Sequence, residues 1–229
     1  MVIQCQNLSL SDRHKTVLEN LNLNLPDRQI TALYGPTGSG KTVLLLILAG
    51  LIKPSTGKVL IDGIDVVKKP RMARRKIGLG VIPDFSPLIS KLTLKENLQI
   101  QAKILQVPQP ENRVQDLLKY FDLTDYAGTL TENLPAYITS KASIALALLN
   151  DSSVLLLDEP EYRLTSEETE TIWSYLRELK QTGKSIVIST RYQEVAAKCD
   201  AMFNIALGKV VDPHETDSVG LVRTQTAFA

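Results

Sequence analysis

The sequence predicts an α/β fold: a mostly parallel sheet with helices on its faces and a helical segment inserted between two of its strands. Three observations predict it. Apolar, strand-like runs alternate with helix-like segments along most of the chain, the order that builds parallel sheets. Two of those runs, Val154-Leu155-Leu156-Leu157 and Ser185-Ile186-Val187-Ile188, are almost continuously apolar, as central strands covered on both faces are. The stretch from about 84 to 150 carries no strand pattern and reads as helical throughout.

Taken in order, strand-like segments fall at 2–5, 17–24, 29–34, 58–61, 79–83, 153–157, 185–190 and 201–206. Helix-like segments fall near 40–51, 93–105, 111–121, 139–149, 166–181 and 191–198. Pro108 and Pro110 punctuate the helices of the inserted segment. The expected organisation is a single domain over 1–229. Residues 1–83 and 151–211 form the α/β core, with an antiparallel β portion at the N-terminal end. Residues 84–150 form a helical subdomain, and the polar residues 212–229 form a short, irregular tail.

Composition narrows the function classes. Apolar residues make up 44% of the 229 positions and charged residues 22%, an ordinary globular mix that can bury a sizeable core. The net charge of +1 supplies no global field toward nucleic acid, so no nucleic-acid partner is expected. Two distant cysteines, Cys5 and Cys199, fit a reducing compartment better than a disulfide scaffold. The opening MVIQCQNLSL lacks the basic region and long apolar core of a signal peptide. The longest apolar run, Val43 to Ile52, is interrupted by Gly50. It falls short of the roughly 20 residues a membrane span needs, so any membrane role is expected to run through a partner.

The most specific motif is Gly35-Pro36-Thr37-Gly38-Ser39-Gly40-Lys41-Thr42. It matches G-x-x-x-x-G-K-[ST] in full. An apolar strand, Ile30 to Tyr34, precedes it, and an apolar helix, Val43 to Ala49, follows it. Glycines at 35, 38 and 40 let backbone N–H groups curl around phosphates with no side chain in the way. The following helix offers its positive end. Lys41 supplies a mobile point charge for the outer phosphates, and Thr42 a hydroxyl for magnesium. The competing reading, a glycine-rich structural turn, does not require this context on both sides.

The strand Val154 to Leu157 runs into Asp158-Glu159-Pro160. In enzymes built on such a phosphate loop, an aspartate at this place holds magnesium, and an adjacent glutamate can polarise the attacking water as general base. Taken alone, the pair could be two solvated acids at a sheet edge. The loop upstream favours the catalytic reading of Glu159.

GPTGSGKT, a helical insertion, LLLDEP and SIVIST, in that order, resemble the ATP-binding subunit of an ABC transporter. The resemblance covers nearly the whole chain. LAGLIKPSTGKVLIDGIDV, LTLKENL and ALALLNDSSVLLLDEP support it. It implies a P-loop NTPase core of ABC type, ATP and Mg2+ as cofactors, and a peripheral position on the cytoplasmic face of a membrane. It also implies transmembrane permease subunits as partners. A second ABC subunit would join them in a head-to-tail hetero- or homodimer, each ATP lying between one subunit's phosphate loop and the other's signature segment.

Four elements of the family pattern are changed. The usual glutamine aligns with Asp84, or with Pro83 after a one-residue shift. The signature, normally LSGGQ, aligns with Leu134-Pro135-Ala136-Tyr137-Ile138. The usual aspartate beyond the acidic pair aligns with Thr165, and the usual histidine with Arg191. The aromatic residue that usually stacks on adenine is missing between Ser9 and Lys15, where His14 is a weak substitute. Pro135 has neither a hydroxyl nor an N–H to offer an opposing γ-phosphate. Arg191 can still donate to a γ-phosphate as a permanent cation. Asp84 is tolerable near phosphate if it faces magnesium or its waters. The implied site is therefore Glu159 as catalytic base, residues 35–42 with Asp158 and Arg191 around the nucleotide, and Thr42, Asp158 and Asp84 around the metal.

Several features keep two readings. The basic cluster Lys68, Lys69, Arg71, Arg74, Arg75 and Lys76 is a solvated helix face or a contact for anionic lipid or an acidic partner. Leu88, Ile89 and Leu92 belong to the helical core or to a groove for a membrane subunit. Tyr120, Phe121 and Trp173 read as core. IDGIDV and the short C-terminal end resemble export and lipid-transport subunits more than sugar importers. An ABC domain that binds ATP without catalysis is the alternative function. A small-molecule kinase, the third possibility, has no use for LTLKENL and LLLDEP at these spacings.

Overall fold

The computed structural model describes residues 3–12, 15–80 and 87–211. Its first layer is a four-stranded antiparallel sheet. Strands β1 (Ile3–Asp12), β2 (Lys15–Leu25), β4 (Thr56–Ile61) and β5 (Ile64–Asp65) lie in the order β2-β1-β4-β5. The second layer is a six-stranded sheet in the order β10-β9-β3-β8-β7-β6. It is made by β3 (Ile30–Tyr34), β6 (Ile77–Leu79), β7 (Val154–Asp158), β8 (Ser185–Thr190), β9 (Ala201–Ala206) and β10 (Lys209–Val211). Its pairings are parallel except for the β9–β10 hairpin.

Helices α1 (Lys41–Leu48) and α2 (Pro70–Arg74) precede β6. Helices α3 (Leu94–Ile104), α4 (Pro110–Tyr120) and α5 (Ala136–Ala147) come between β6 and β7, in the stretch read as helical. Helices α6 (Ser166–Gln181) and α7 (Gln193–Ala196) flank β8.

Every residue of β7 and β8 is buried. Because side chains alternate across a strand, the two faces feed two cores. Leu155, Leu157, Ile186 and Ile188 join Leu98, Leu117, Phe121, Ile144, Trp173 and Leu176 on the helical side. Val154, Leu156, Val187 and Leu33 join α1 and the antiparallel sheet on the other. Two reciprocal caps start helices where the sequence contains Thr-x-x-Glu: Thr93 with Glu96 for α3, and Thr165 with Glu168 for α6.

Several limits differ from expectation. The first strand continues past residue 5 to Asp12. Register shifts and the left-handed Asn7 (φ 48) hide its alternation. Helix α5 begins three residues before 139, because Pro135 pre-sets the backbone at its N-cap. The helix expected over 191–198 is a single turn, α7. β5, α2 and β10 escaped notice because two-, five- and three-residue elements carry too little periodicity. β10 is reached through Leu207-Gly208, both at positive φ (48 and 75), the geometry of a tight hairpin turn. Tyr120, read as core, is 41% exposed, its hydroxyl donating to Glu178, whereas Phe121 and Trp173 are fully buried. Pro83 and Asp84, within 81–86, His14 and the tail at 212–229 lie outside the described residues.

Candidate nucleotide site

The carboxyl ends of the parallel strands point to one side of the sheet, where open α/β sheets place their ligands. In register, Tyr34 stands opposite Thr190, and Asp158 opposite Ser189. The loop after β3, the acidic pair at the end of β7 and Arg191 after β8 are thereby brought together by backbone pairing alone.

Close approach dictates two of the loop's glycines. A Cβ on Gly35 would lie 2.0 Å from the carbonyl oxygen of Ile205, and one on Gly40 would lie 2.7 Å from Leu18. Gly40 also sits at φ 101 as N-cap of α1. No side chain caps α1, and its first turn carries no acidic residue, so its N-terminal N–H groups and dipole remain available to an anion. Lys41 is buried, and its ammonium donates to the carbonyls of Gly35 (2.7 Å) and Pro36 (2.9 Å). Burial lowers its pKa, and the nearby charges of Glu159 and Asp158 partly restore it. Ser39 Oγ is buried with no hydrogen-bond partner.

Thr42 Oγ1 donates to Asp158 Oδ2 at 2.7 Å, and Ser189 Oγ donates to Asp158 Oδ1. Glu159 takes the left-handed conformation, φ 45. Its N–H is held by the carbonyl and the hydroxyl of Ser189, both at 3.1 Å. A glutamate kept in this region is strained and persists only where its neighbours fix it. Its carboxylate faces Arg191, Nε to Oε2 3.8 Å, and that charge raises the arginine's pKa further.

A cavity of about 340 Å³ lies over the loop, lined by Thr37, Gly38, Gly40, Lys41, Thr42, Asp158, Glu159 and Arg191. Gly35 and Pro36 reach the site through the Lys41 ammonium. The sequence reading missed Val17 and Tyr162, which with Val43 complete the wall, and Ser189, which fixes both acids. A hydroxyl at the end of a strand beside the acidic pair was the available signal for Ser189.

The donor set around Thr42 and Asp158 consists of oxygens, as a hard divalent cation prefers. Among the described residues no cluster of three or more His, Cys, Asp or Glu side chains forms a cage. Two protein oxygens beside a phosphate cradle fit a metal that retains water and phosphate ligands.

Two of the segments that depart from the expected family pattern start helices. Pro135 is the N-cap of α5 and offers no side-chain cap. Thr165 accepts from the Glu168 N–H and serves as a helix cap. Leu88 is buried and Ile89 is 54% exposed.

Known proteins resemble the chain over most of its length. Residues 18–162 match the ABC transporter family. The ABC transporter ATP-binding protein NatA of Bacillus subtilis is 30% identical over 205 residues, covering 87% of this chain and 83% of that protein. The Nod factor export ATP-binding protein I of Neorhizobium galegae is 31% identical over 214 residues, covering 92% of this chain and 61% of that one. A bacterial ABC transporter cassette solved as a dimer superposes with a TM-score of 0.83 at 28% identity, covering 91% of this chain and 96% of the cassette.

Proposed function

We propose, for a chain that belongs to the ABC transporter family as an ATP-binding subunit, a defined division of labour in the cavity over its phosphate loop. Residues 35–42 wrap the phosphates with backbone N–H groups, and Lys41 leaves the Gly35 and Pro36 carbonyls to meet the outer phosphates. Thr42 and Asp158 would hold Mg2+, which would supply neutralisation of the phosphate charge. Glu159 accepts the proton of the attacking water. Arg191, beside Glu159 at the cavity mouth, contacts the γ-phosphate. Asp84, outside the described residues, is assigned to the metal's water shell.

The observation that carries this reading is the convergence of the Lys41 loop, the Thr42–Asp158 pair and the Glu159–Arg191 pair on one cavity. The chain acts at the cytoplasmic face of a membrane, bound to transmembrane permease subunits and to a second ABC subunit. Relatives named for transport and export, and a cassette solved as a dimer, favour this over a free-standing ATP-binding domain. No helix among the described residues is long and apolar enough to cross a membrane, so anchoring falls to the partner.

Purifying the full chain from its native membranes and identifying its stoichiometric companions by mass spectrometry tests the assembly. A polytopic membrane protein is expected. Recovery of the chain alone, in the soluble fraction, would sink the transport reading.

A further inference from the structure

We infer that Glu161 is a positioning residue for γ-phosphate recognition: its carboxylate grips the Thr190 hydroxyl, and through that hydroxyl it fixes Arg191, while the Thr190 carbonyl holds the phosphate loop independently of Glu161. Glu161 stands two residues beyond Glu159 and is only 9% exposed. Its Oε1 accepts from Thr190 Oγ1 at 2.5 Å, while its Oε2 is buried with no hydrogen-bond partner among the described residues. A carboxylate in such a place is costly unless it is needed there.

Thr190 commits both its hydroxyl and its carbonyl. Its hydroxyl donates to Glu161 and accepts from the Tyr192 N–H at 3.1 Å. Its carbonyl accepts from the Gly35 N–H at 3.2 Å. The backbone is therefore pinned on both sides of Arg191, and the same residue holds the first glycine of the loop. Arg191 lies along the Tyr192 ring, 5.2 Å from its centroid, with Nε 3.8 Å from the Glu159 carboxylate. Without the Glu161 anchor, the Thr190 hydroxyl loses its acceptor and the turn carrying Arg191 loses its fixed orientation.

The consequence is selective. ATP has a γ-phosphate and ADP does not, so a displaced Arg191 weakens ATP binding and leaves ADP binding unchanged. A carboxylate that merely filled the core would affect both nucleotides alike. The inference rests on the proposed role of Arg191, and the experiment separates the two.

The full chain and its Glu161→Ala, Glu161→Gln, Thr190→Val and Arg191→Ala forms are titrated calorimetrically with ATP and with ADP in the presence of magnesium. Glu161→Ala and Thr190→Val should each weaken ATP about fivefold or more, a part of one charge-assisted hydrogen bond, with ADP affinity unchanged. Glu161→Gln should bind like the wild type, because its amide oxygen still accepts from Thr190. In an Arg191→Ala background, Glu161→Ala should add nothing. Equal weakening of both nucleotides, a Gln form as poor as Ala, or additive effects would overturn the inference. An Arg191→Ala form with an unaltered ATP-to-ADP ratio overturns the role of Arg191 and this inference with it. Loss of selectivity in Arg191→Ala but not in Glu161→Ala or Thr190→Val overturns this inference alone. Should Glu161→Ala fail to fold, Thr190→Val, which keeps the acid, decides.

Discussion

Thr42 and Asp158 meet across the site, Oγ1 to Oδ2 at 2.7 Å, although 116 residues separate them. One belongs to the first turn of α1 and the other to the last position of β7. A hydroxyl and a carboxylate joined in this way are preorganised to share a cation, since the bond fixes both oxygens before any ligand arrives. Asp158→Asn should therefore leave metal-free ATP binding nearly unchanged and abolish most of its strengthening by magnesium. Titrations with ATP in EDTA and in magnesium check this. An undiminished magnesium effect would remove Asp158 from the metal site.

Lys41→Ala should weaken ATP binding by roughly 10- to 100-fold, the loss of one or two charge-assisted hydrogen bonds. The Lys41 ammonium donates to two loop carbonyls, so removing it leaves two acceptors exposed near the loop without unfolding α1. A calorimetric titration of both forms checks the affinity, and circular dichroism checks that the helix content is kept.

Hydrolysis by the isolated chain should be slow, well under the roughly 1–100 s⁻¹ typical of phosphoryl-transfer enzymes. Glu159 is present, and Arg191 stands beside it. The groups that would close the site from a second subunit are altered. A steady-state phosphate-release assay with Glu159→Gln as control measures this. Brisk turnover that vanishes in Glu159→Gln would show that the altered segments matter less than argued.

Stability should fall as pH rises through the range set by Glu161. Burial pushes its pKa up from 4.5 to about 6. Below about 4.5 the folded and unfolded chains both hold the proton, and no penalty exists. Above about 6 the folded chain must bury a charge that water solvates in the unfolded one, so the penalty is complete. The difference amounts to on the order of 2 kcal/mol. Glu161→Gln cannot titrate, so the stability gap between it and the wild type should shift in its favour by that order between pH 4.5 and 7.5. Urea denaturation of the nucleotide-free chains at both pH values provides the measurement. A gap that does not move with pH would mean that Glu161 titrates in the folded chain as it does in the unfolded one.

Most of the site was legible because its chemistry is carried by contiguous residues. The loop at 35–42 and the Asp158-Glu159 pair each declare themselves within eight positions, and their neighbouring strands confirm the context. What stayed hidden was pairwise and long-range. Ser189 fixes Asp158 only because β7 and β8 run parallel in one register. Glu161 meets Thr190 only across 29 residues of chain. Val17 enters the cavity wall from the antiparallel layer. In the fold, long apolar runs gave strands and helices away, while β1 beyond residue 5 was masked by bulges and α2, β5 and β10 by their brevity.

The last prediction concerns assembly: this chain will not form a stable ATP-sandwiched homodimer on its own. In a head-to-tail pair, the Pro135-Ala136-Tyr137 segment of each copy would face the nucleotide of the other. Pro135, at the N-cap of α5, lacks an N–H and a hydroxyl. Side-chain rescue would have to come from the next turn of the helix, and there each side-chain donor is already engaged. The Thr139 hydroxyl donates to the Pro135 carbonyl at 3.1 Å. The buried Ser140 hydroxyl points to the Pro160 carbonyl at 3.4 Å. The Lys141 ammonium is buried between the Tyr137 and Tyr175 rings, 5.1 and 5.3 Å from their centroids, and 3.7 Å from the Asp122 carboxylate. Freeing it would leave the Asp122–Tyr175 hydrogen bond without its neighbouring cation. Symmetry duplicates the defect, so the deficit is on the order of 3 kcal/mol per site if two charge-assisted bonds are missing. A partner with an intact signature would repair one site, and membrane subunits could hold two copies together without help from ATP. Sedimentation of the Glu159→Gln form with and without ATP and magnesium separates these cases. The purified chain should remain a monomer in both, and an ATP-dependent shift to dimer would overturn the claim.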